Sequence, residues 1–201
     1  MLEITALACE RGGTRLFEDL SFSLPAGGLL RVRGANGSGK TTLLRTLAGL
    51  TRPAAGTICW RGRPAGEDLR REMLFLGHLP AVKDEFTVRE NLEFSARLAG
   101  LKDAGIHRAL EHFGIARLAD LPARCLSQGQ RKRAAIARLA LSPEVALWLL
   151  DEPFAALDDV AIAGVSALCS AHLAAGGALV LTSHQDVPIA APAVRSIELR
   201  G

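Results

Sequence analysis

Apolar and polar residues alternate along Leu16–Leu24, LFEDLSFSL, and that period of two predicts a strand with one face against a core. PAGG at Pro25–Gly28 reads as a turn, and LLRVRG predicts a second strand that stops at Gly34. KTTLLRTLAG then takes a helical pattern from Lys40, with Gly49 placed to end it. GTICWRG and EMLFLGH read as further strands.

The middle of the chain changes character. Thr87 and Glu90 form a T-x-x-E capping box that opens a helix, VRENLEFSARLAG. Helical patterns continue through DAGIHRALEHFGIARLAD and through LSQGQRKRAAIARLAL, Leu126–Leu141. Strand signals return with VALWLLDEP, followed by a helix over Asp159–Ala174, a strand in GALVLTSH and a last strand in RSIELR. The outer parts, 1–86 and 143–201, therefore read as one α/β core, and 87–142 as an all-helical insertion within a single domain.

Composition agrees with a globular chain: of 201 residues, 49% are apolar and 22% charged. The net charge of +3 is small: it permits a nucleic-acid or anionic-lipid partner but argues only weakly for either. Cys9, Cys59, Cys125 and Cys169 stand far apart, with no C-x-x-C pair, and are expected as buried or half-buried free thiols in a reducing compartment. MLEITALACERGG is not expected to be a signal peptide, because of its early acid and short apolar stretch. No run approaches the roughly 18 apolar residues of a membrane span, so a role at a membrane would need another chain to cross it.

Candidate chemistry begins at GANGSGKT, Gly34–Thr41, which fits G-x-x-x-x-G-K-[ST] between a predicted strand and a predicted helix. Small residues at Gly34, Asn36, Gly37, Ser38 and Gly39 let backbone N–H groups curl around phosphate oxygens, and the helix start adds its positive end. Lys40 reaches for the β- and γ-phosphates, Thr41 for Mg²⁺, and Thr42 continues the loop into the helix. Downstream, an apolar strand ends in adjacent carboxylates: Asp151 suits a Mg²⁺ ligand, direct or through water, and Glu152 suits polarisation of an attacking water. His184 falls just past another strand, at the sheet edge where open α/β folds bind ligands, and reads as a γ-phosphate sensor.

LSQGQ, Leu126–Gln130, completes the set, and the chain resembles the nucleotide-binding domains of ATP-binding-cassette (ABC) proteins. LSQGQ matches that family's signature L-S-x-G-Q, and the phosphate loop, Asp151–Glu152, AALD at Ala155–Asp158 and His184 follow in the family's order. The resemblance covers essentially the whole chain. It implies a P-loop NTPase core with an antiparallel β subdomain and a helical subdomain that moves as a body against the core. It also implies ATP and Mg²⁺ as cofactors, and a head-to-tail dimer of two copies with ATP between them. Ser127 and Gly129, with Gln130 beside them, would then meet the γ-phosphate held by the other copy's Lys40. Arg131, Lys132 and Arg133 are expected as a solvated or dimer-rim face rather than a nucleic-acid patch, since no aromatic residue interleaves with them.

Two positions depart from the family pattern. The aromatic residue that stacks on adenine near the end of the first strand is replaced by Arg11, whose guanidinium plane can also stack on a base. The glutamine of the subdomain linker is missing from LFLGHLPAVKDEFTVREN; His78 takes its place, or Leu79 if the loop is one residue shorter. The short chain, the His-x-Pro linker and LDEPFAALD resemble the ATP-binding subunits of bacterial cytochrome c maturation systems, the haem exporter ATPases. That resemblance implies integral-membrane partner subunits, a peripheral place on the cytoplasmic face of the inner membrane, and haem handled by the partners only. Two other readings stay open: the ATPase subunit of an exporter of drugs, lipids or polysaccharides, and a cytosolic ATPase that remodels nucleic acid or protein.

Overall fold

The computed structural model describes residues 1–100 and 105–199. Asp103 and Ala104, read as helical from the sequence, and Arg200, at the end of the expected last strand, lie outside them. The chain opens with β1 (Leu2–Arg11), β2 (Thr14–Leu24), β3 (Gly28–Gly34) and α1 (Lys40–Leu47). Next come β4 (Ala55–Trp60), β5 (Arg63–Pro64), α2 (Glu67–Arg71) and β6 (Met73–Leu76). Three helices follow, α3 (Val88–Leu98), α4 (Ile106–His112) and α5 (Gln128–Ala140). β7 (Leu147–Asp151), α6 (Asp159–Ala174), β8 (Ala178–Thr182) and β9 (Ala193–Leu199) complete the fold.

Two sheets form. One is antiparallel, in the order β2-β1-β4-β5, and the other is parallel, in the order β6-β7-β8-β3-β9. Every residue of β7 and β8 is buried, as expected for parallel strands covered on both faces. Side chains alternate between the two sides: Leu147 and Leu149 join the core shared with the antiparallel sheet, whereas Trp148 and Leu150 join the core under the helices. β1 was legible only through the family resemblance. Its register shifts twice between Ile4 and Cys9 and Ala6 takes φ +48°, so a strict period of two never develops. Gly56 is required opposite this irregularity, because a Cβ there would lie 2.4 Å from the Ala6 carbonyl oxygen.

The helical stretch between β6 and β7 rests on two capping boxes. Thr87 Oγ1 accepts from the Glu90 N–H at 3.1 Å while Glu90 accepts from the Thr87 N–H at 2.7 Å. Asn91 then fastens the preceding loop, accepting from the Lys83 N–H and donating to the carbonyls of Lys83 and Thr87. Nothing in the periodicity singled out Asn91, which is 8% exposed.

The four cysteines are free, but only Cys9 and Cys169 are buried; Cys59 is half-buried and Cys125 exposed, contrary to expectation for the last. Cys125 sits in a short 3₁₀ turn just before α5, and that turn runs over the surface. Burial pushes the Cys169 thiol up to about 12, which leaves it protonated and unreactive. His172, on α6, stacks on Trp148 with ring centroids 4.0 Å apart and planes 4° from parallel. Gly177 makes room for that ring, since a Cβ there would fall 2.1 Å from it.

Candidate functional site

β7, β8 and β3 are neighbours, so their carboxyl ends bring Asp151, Thr182 and Gly34 to one sheet edge. The loop from Gly34 to Lys40 is shaped by its glycines. Gly34 takes φ +143°, and a Cβ there would meet Ser38 Oγ at 2.5 Å and the Leu199 carbonyl at 2.6 Å. Gly39 caps α1 in a left-handed conformation without any side-chain cap, and no acidic residue occupies the first turn. The helix start is thus left for an anion. Lys40 Nζ lies back across the loop, donating to the carbonyls of Gly34 at 2.8 Å and Ala35 at 3.0 Å. Ser38 is 3% exposed and its hydroxyl has no partner among the described residues.

Asp151 is 1% exposed and accepts two hydrogen bonds, from Thr41 Oγ1 at 2.8 Å and from Thr182 Oγ1 at 2.7 Å. The hydroxyl and carboxylate expected to share Mg²⁺ are therefore already in contact. They fit that ion by chemistry: Mg²⁺ takes few protein ligands and fills its other positions with water and phosphate oxygens. Glu152 adopts φ +50°, a costly conformation for a residue with a Cβ. Its N–H is held by Thr182, donating to the hydroxyl at 3.0 Å and to the carbonyl at 3.2 Å. His184 closes the other side, with its N–H 3.3 Å from Glu152 Oε2 and its Nε2 3.5 Å from Oε1. Glu152 Oε1 is buried and accepts no hydrogen bond among the described residues, so a water donating to it would satisfy it.

A cleft of about 460 Å³ runs along this edge. Asn36, Gly37, Gly39, Lys40, Thr41, Thr42, Asp151, Glu152 and His184 line it, together with Arg11 and His78. The two departures from the family pattern thus face the same cleft as the phosphate loop. Leu79 is 81% exposed and does not line it. Gly34 and Ser38 lie outside the lining and brace the loop from beneath.

Ser127, Gly129 and Gln130 lie elsewhere, at the start of α5, and do not line the cleft. Ser127 Oγ accepts from the Gln130 N–H at 3.3 Å, and Gln130 Oε1 accepts from the Ser127 N–H at 2.9 Å. Gln130 therefore shapes the helix start rather than reaching outward. Ser127 is exposed, and Gly129 lies against the 152–158 loop, where a Cβ would come within 3.2 Å of the Ala156 carbonyl.

The basic run after the signature was expected as a solvated or dimer-rim face, and it is not a solvated one. Lys132 is only 5% exposed, and burial pushes its ammonium down while Asp151 and Glu152 pull it back up. Arg131 is half-buried and pairs with Asp84 while donating to the Ala123 carbonyl at 3.0 Å. Arg133 is also half-buried and pairs with Asp158 at 2.5 Å. Successive helical residues point about 100° apart, so three adjacent cations reach three different places. The reading from sequence also missed Thr182, which is fully buried and holds both carboxylate residues. Its signal was a lone hydroxyl ending the apolar run ALVLT.

The family model described as ABC transporter matches residues 17–155. The cytochrome c biogenesis ATP-binding export protein CcmA of Aromatoleum aromaticum is 49% identical over 197 residues, 96% of this chain and 92% of that protein. Its namesake from Salmonella typhi is 45% identical over 204 residues, covering 100% of this chain and 98% of the relative. A solved structure of the ATP-binding subunit of an ABC transporter superposes with a TM-score of 0.82 at 28% identity, covering 92% of this chain and 79% of its own. With a family model over most of its length and near-full-length relatives, the chain belongs to the ABC transporter family.

Proposed function

We propose that the chain is the ATP-hydrolysing subunit of a transporter that serves cytochrome c biogenesis. The observation that carries the hydrolytic part is the convergence of Lys40, Thr41, Asp151, Glu152 and His184 on one cleft. Near-full-length similarity to the CcmA relatives carries the biological part.

The phosphate chain of ATP lies along the backbone N–H groups of the 34–41 loop, and Lys40 turns from the Gly34 and Ala35 carbonyls to the β- and γ-oxygens. Thr41 and Asp151 would hold Mg²⁺, which would supply charge neutralisation at the phosphate oxygens. Glu152 accepts a hydrogen bond from the attacking water through Oε1, and His184 holds that carboxylate and meets the γ-phosphate. Arg11 stacks on adenine, and His78 stands where the linker loop reaches the nucleotide. No covalent intermediate is required; positioning and electrostatics suffice. A second copy supplies Ser127 and Gly129 to the γ-phosphate, which explains why they stand apart from the chain's own cleft.

No helix among the described residues is long and apolar enough to cross a membrane. Similarity to ATP-binding export proteins supports separate integral-membrane subunits that form the pathway. The chain sits on the cytoplasmic face of the bacterial inner membrane, and haem is handled by the partners. The test is to purify tagged Glu152→Gln protein from detergent-solubilised native membranes. Small integral-membrane subunits with a haem-bearing partner are expected. A membrane chain without haem would favour another cargo, and recovery of the protein alone would overturn the transporter reading.

A further inference from the structure

Resting on the ATP-hydrolysing reading, we propose that Arg31 is a positioning residue: its guanidinium tethers the segment that carries His184 and so fixes the imidazole beside Glu152. One strand, β3, thereby sets both the phosphate loop at its end and the histidine next to it.

The start of that segment has little other support. Residues 183–192, between β8 and β9, form neither helix nor strand, and the His184 side chain is 58% exposed. A cavity of about 220 Å³ opens behind it, its lining including Arg31, Arg33, Gly34, Ser183, His184 and Asp186. Packing therefore does not hold the backbone on that side. The Ser183 hydroxyl bonds within the segment, accepting from the Gln185 N–H and donating to the Gln185 carbonyl, both at 2.9 Å. That closes a local turn without tying it to the core. Farther along, α6 takes hold: Ser166 donates to the Pro188 carbonyl, and the Ala190 N–H donates to Ser170 Oγ at 3.0 Å.

Arg31 supplies the support at the histidine end. It stands opposite Leu181 in the register of β3 and β8, and its side chain is only 12% exposed. Nη2 donates to the Val187 carbonyl at 2.6 Å, and Nη1 lies 3.5 Å from Asp186 Oδ1. Arg33, on the same face of β3, reaches the same Asp186 oxygen at 3.4 Å. The planar fork of Arg31 thus grips two consecutive residues just past His184, with little rotational play. Asp186 is 80% exposed, so its ion pairs are screened and weak. The bond to the carbonyl, made by a cation largely withdrawn from water, is the firm one. β3 runs on from Arg31 into Gly34, so His184 is placed against the same backbone that holds the phosphates. A histidine displaced by about 1 Å loses its contact with the reacting groups while the loop still binds ATP.

The test is steady-state ATP hydrolysis by the full chain with the subunits that purify with it, paired with hydrogen–deuterium exchange. Arg31→Gln should lower kcat about tenfold and leave KM for ATP within about twofold. Exchange should quicken over 183–187 and stay unchanged over 34–41. Arg31→Lys keeps a cation that can meet one of the two acceptors, and should recover part of kcat. If Arg31→Gln does not fold, Arg31→Lys carries the test: a smaller loss of kcat with faster exchange confined to 183–187 is expected, and wild-type values overturn the proposal. Wild-type kcat in Arg31→Gln, a KM that rises in step with the loss, or quickened exchange throughout the fold would also overturn it. Glu152→Gln in the same assay separates the two readings. Normal turnover there would sink the hydrolytic assignment, while the exchange pattern would still report whether Arg31 holds the segment.

Discussion

Thr182 and Asp151 stand opposite each other in the register of β8 and β7, and the threonine hydroxyl donates a 2.7 Å hydrogen bond to the carboxylate. The same hydroxyl accepts the Glu152 N–H at 3.0 Å. One buried side chain thus orients the two acidic residues of the cleft.

Thr182→Val keeps the shape and removes that hydroxyl. It leaves one oxygen of a buried carboxylate without its donor, a loss of about 1–3 kcal/mol. Thermal unfolding should show the destabilisation, and kcat should fall as Glu152 loses its tether. Thr182→Ser should restore both; equal defects in Ser and Val would mean the methyl group, not the hydroxyl, matters at this position.

Glu152→Gln keeps the side-chain shape but weakens the acceptor that faces the water. It should bind ATP and accumulate as a dimer on size-exclusion chromatography with ATP, with hydrolysis reduced by about 10²-fold or more. Lys40→Ala should fail to bind ATP tightly and stay monomeric under the same conditions. Rapid turnover by the Gln variant would remove Glu152 from its role.

Arg11 is exposed and lines the cleft, where we propose that it stacks on adenine. Arg11→Ala should raise KM for ATP several-fold, about 0.5–1 kcal/mol of lost stacking, with kcat little changed. Arg11→Tyr should match or exceed the native affinity. An unchanged KM in the alanine variant would exclude the contact.

His172 is buried against Trp148, with Nε2 3.2 Å from the Ala178 carbonyl, and burial lowers its pKa below 6.5. In the unfolded chain it takes a proton near pH 6.5, whereas in the fold it resists until lower pH. The unfolded state therefore binds more protons in that window, and stability falls as pH drops from about 7 through the folded pKa. Below both values the loss levels off. His172→Phe retains a stacking ring without a titrating group, so its stability should vary less between pH 7 and 5 in chemical denaturation. Identical pH slopes in the two proteins would place the dependence elsewhere.

Much of the cleft was legible in the sequence because its chemistry is local. A phosphate loop needs its glycines, lysine and threonine in one contiguous run between a strand and a helix, and 34–41 supplies them in order. The capping boxes at Thr87 and Ser127 are equally local, since each closes over three residues. Asp151, Glu152 and His184 were found because apolar strands ended beside them. β1 escaped the pattern because its bulged register breaks the alternation that reveals a strand.

Tertiary structure alone decided the rest, because it turned on which side of an element a residue faces and which strand lies next to which. Neighbouring positions of β7 and β8 put Thr182 beside Asp151 across a sequence separation of 31 residues. The rotation of α5 buried Lys132 and sent Arg131 and Arg133 to carboxylates 47 and 25 residues away. The local composition RKR is equally compatible with a solvated face, so no reading of that triplet by itself could place its charges. Sequence determined the groups that meet a phosphate; packing determined how they are held and how one helix is joined to the loop beside it.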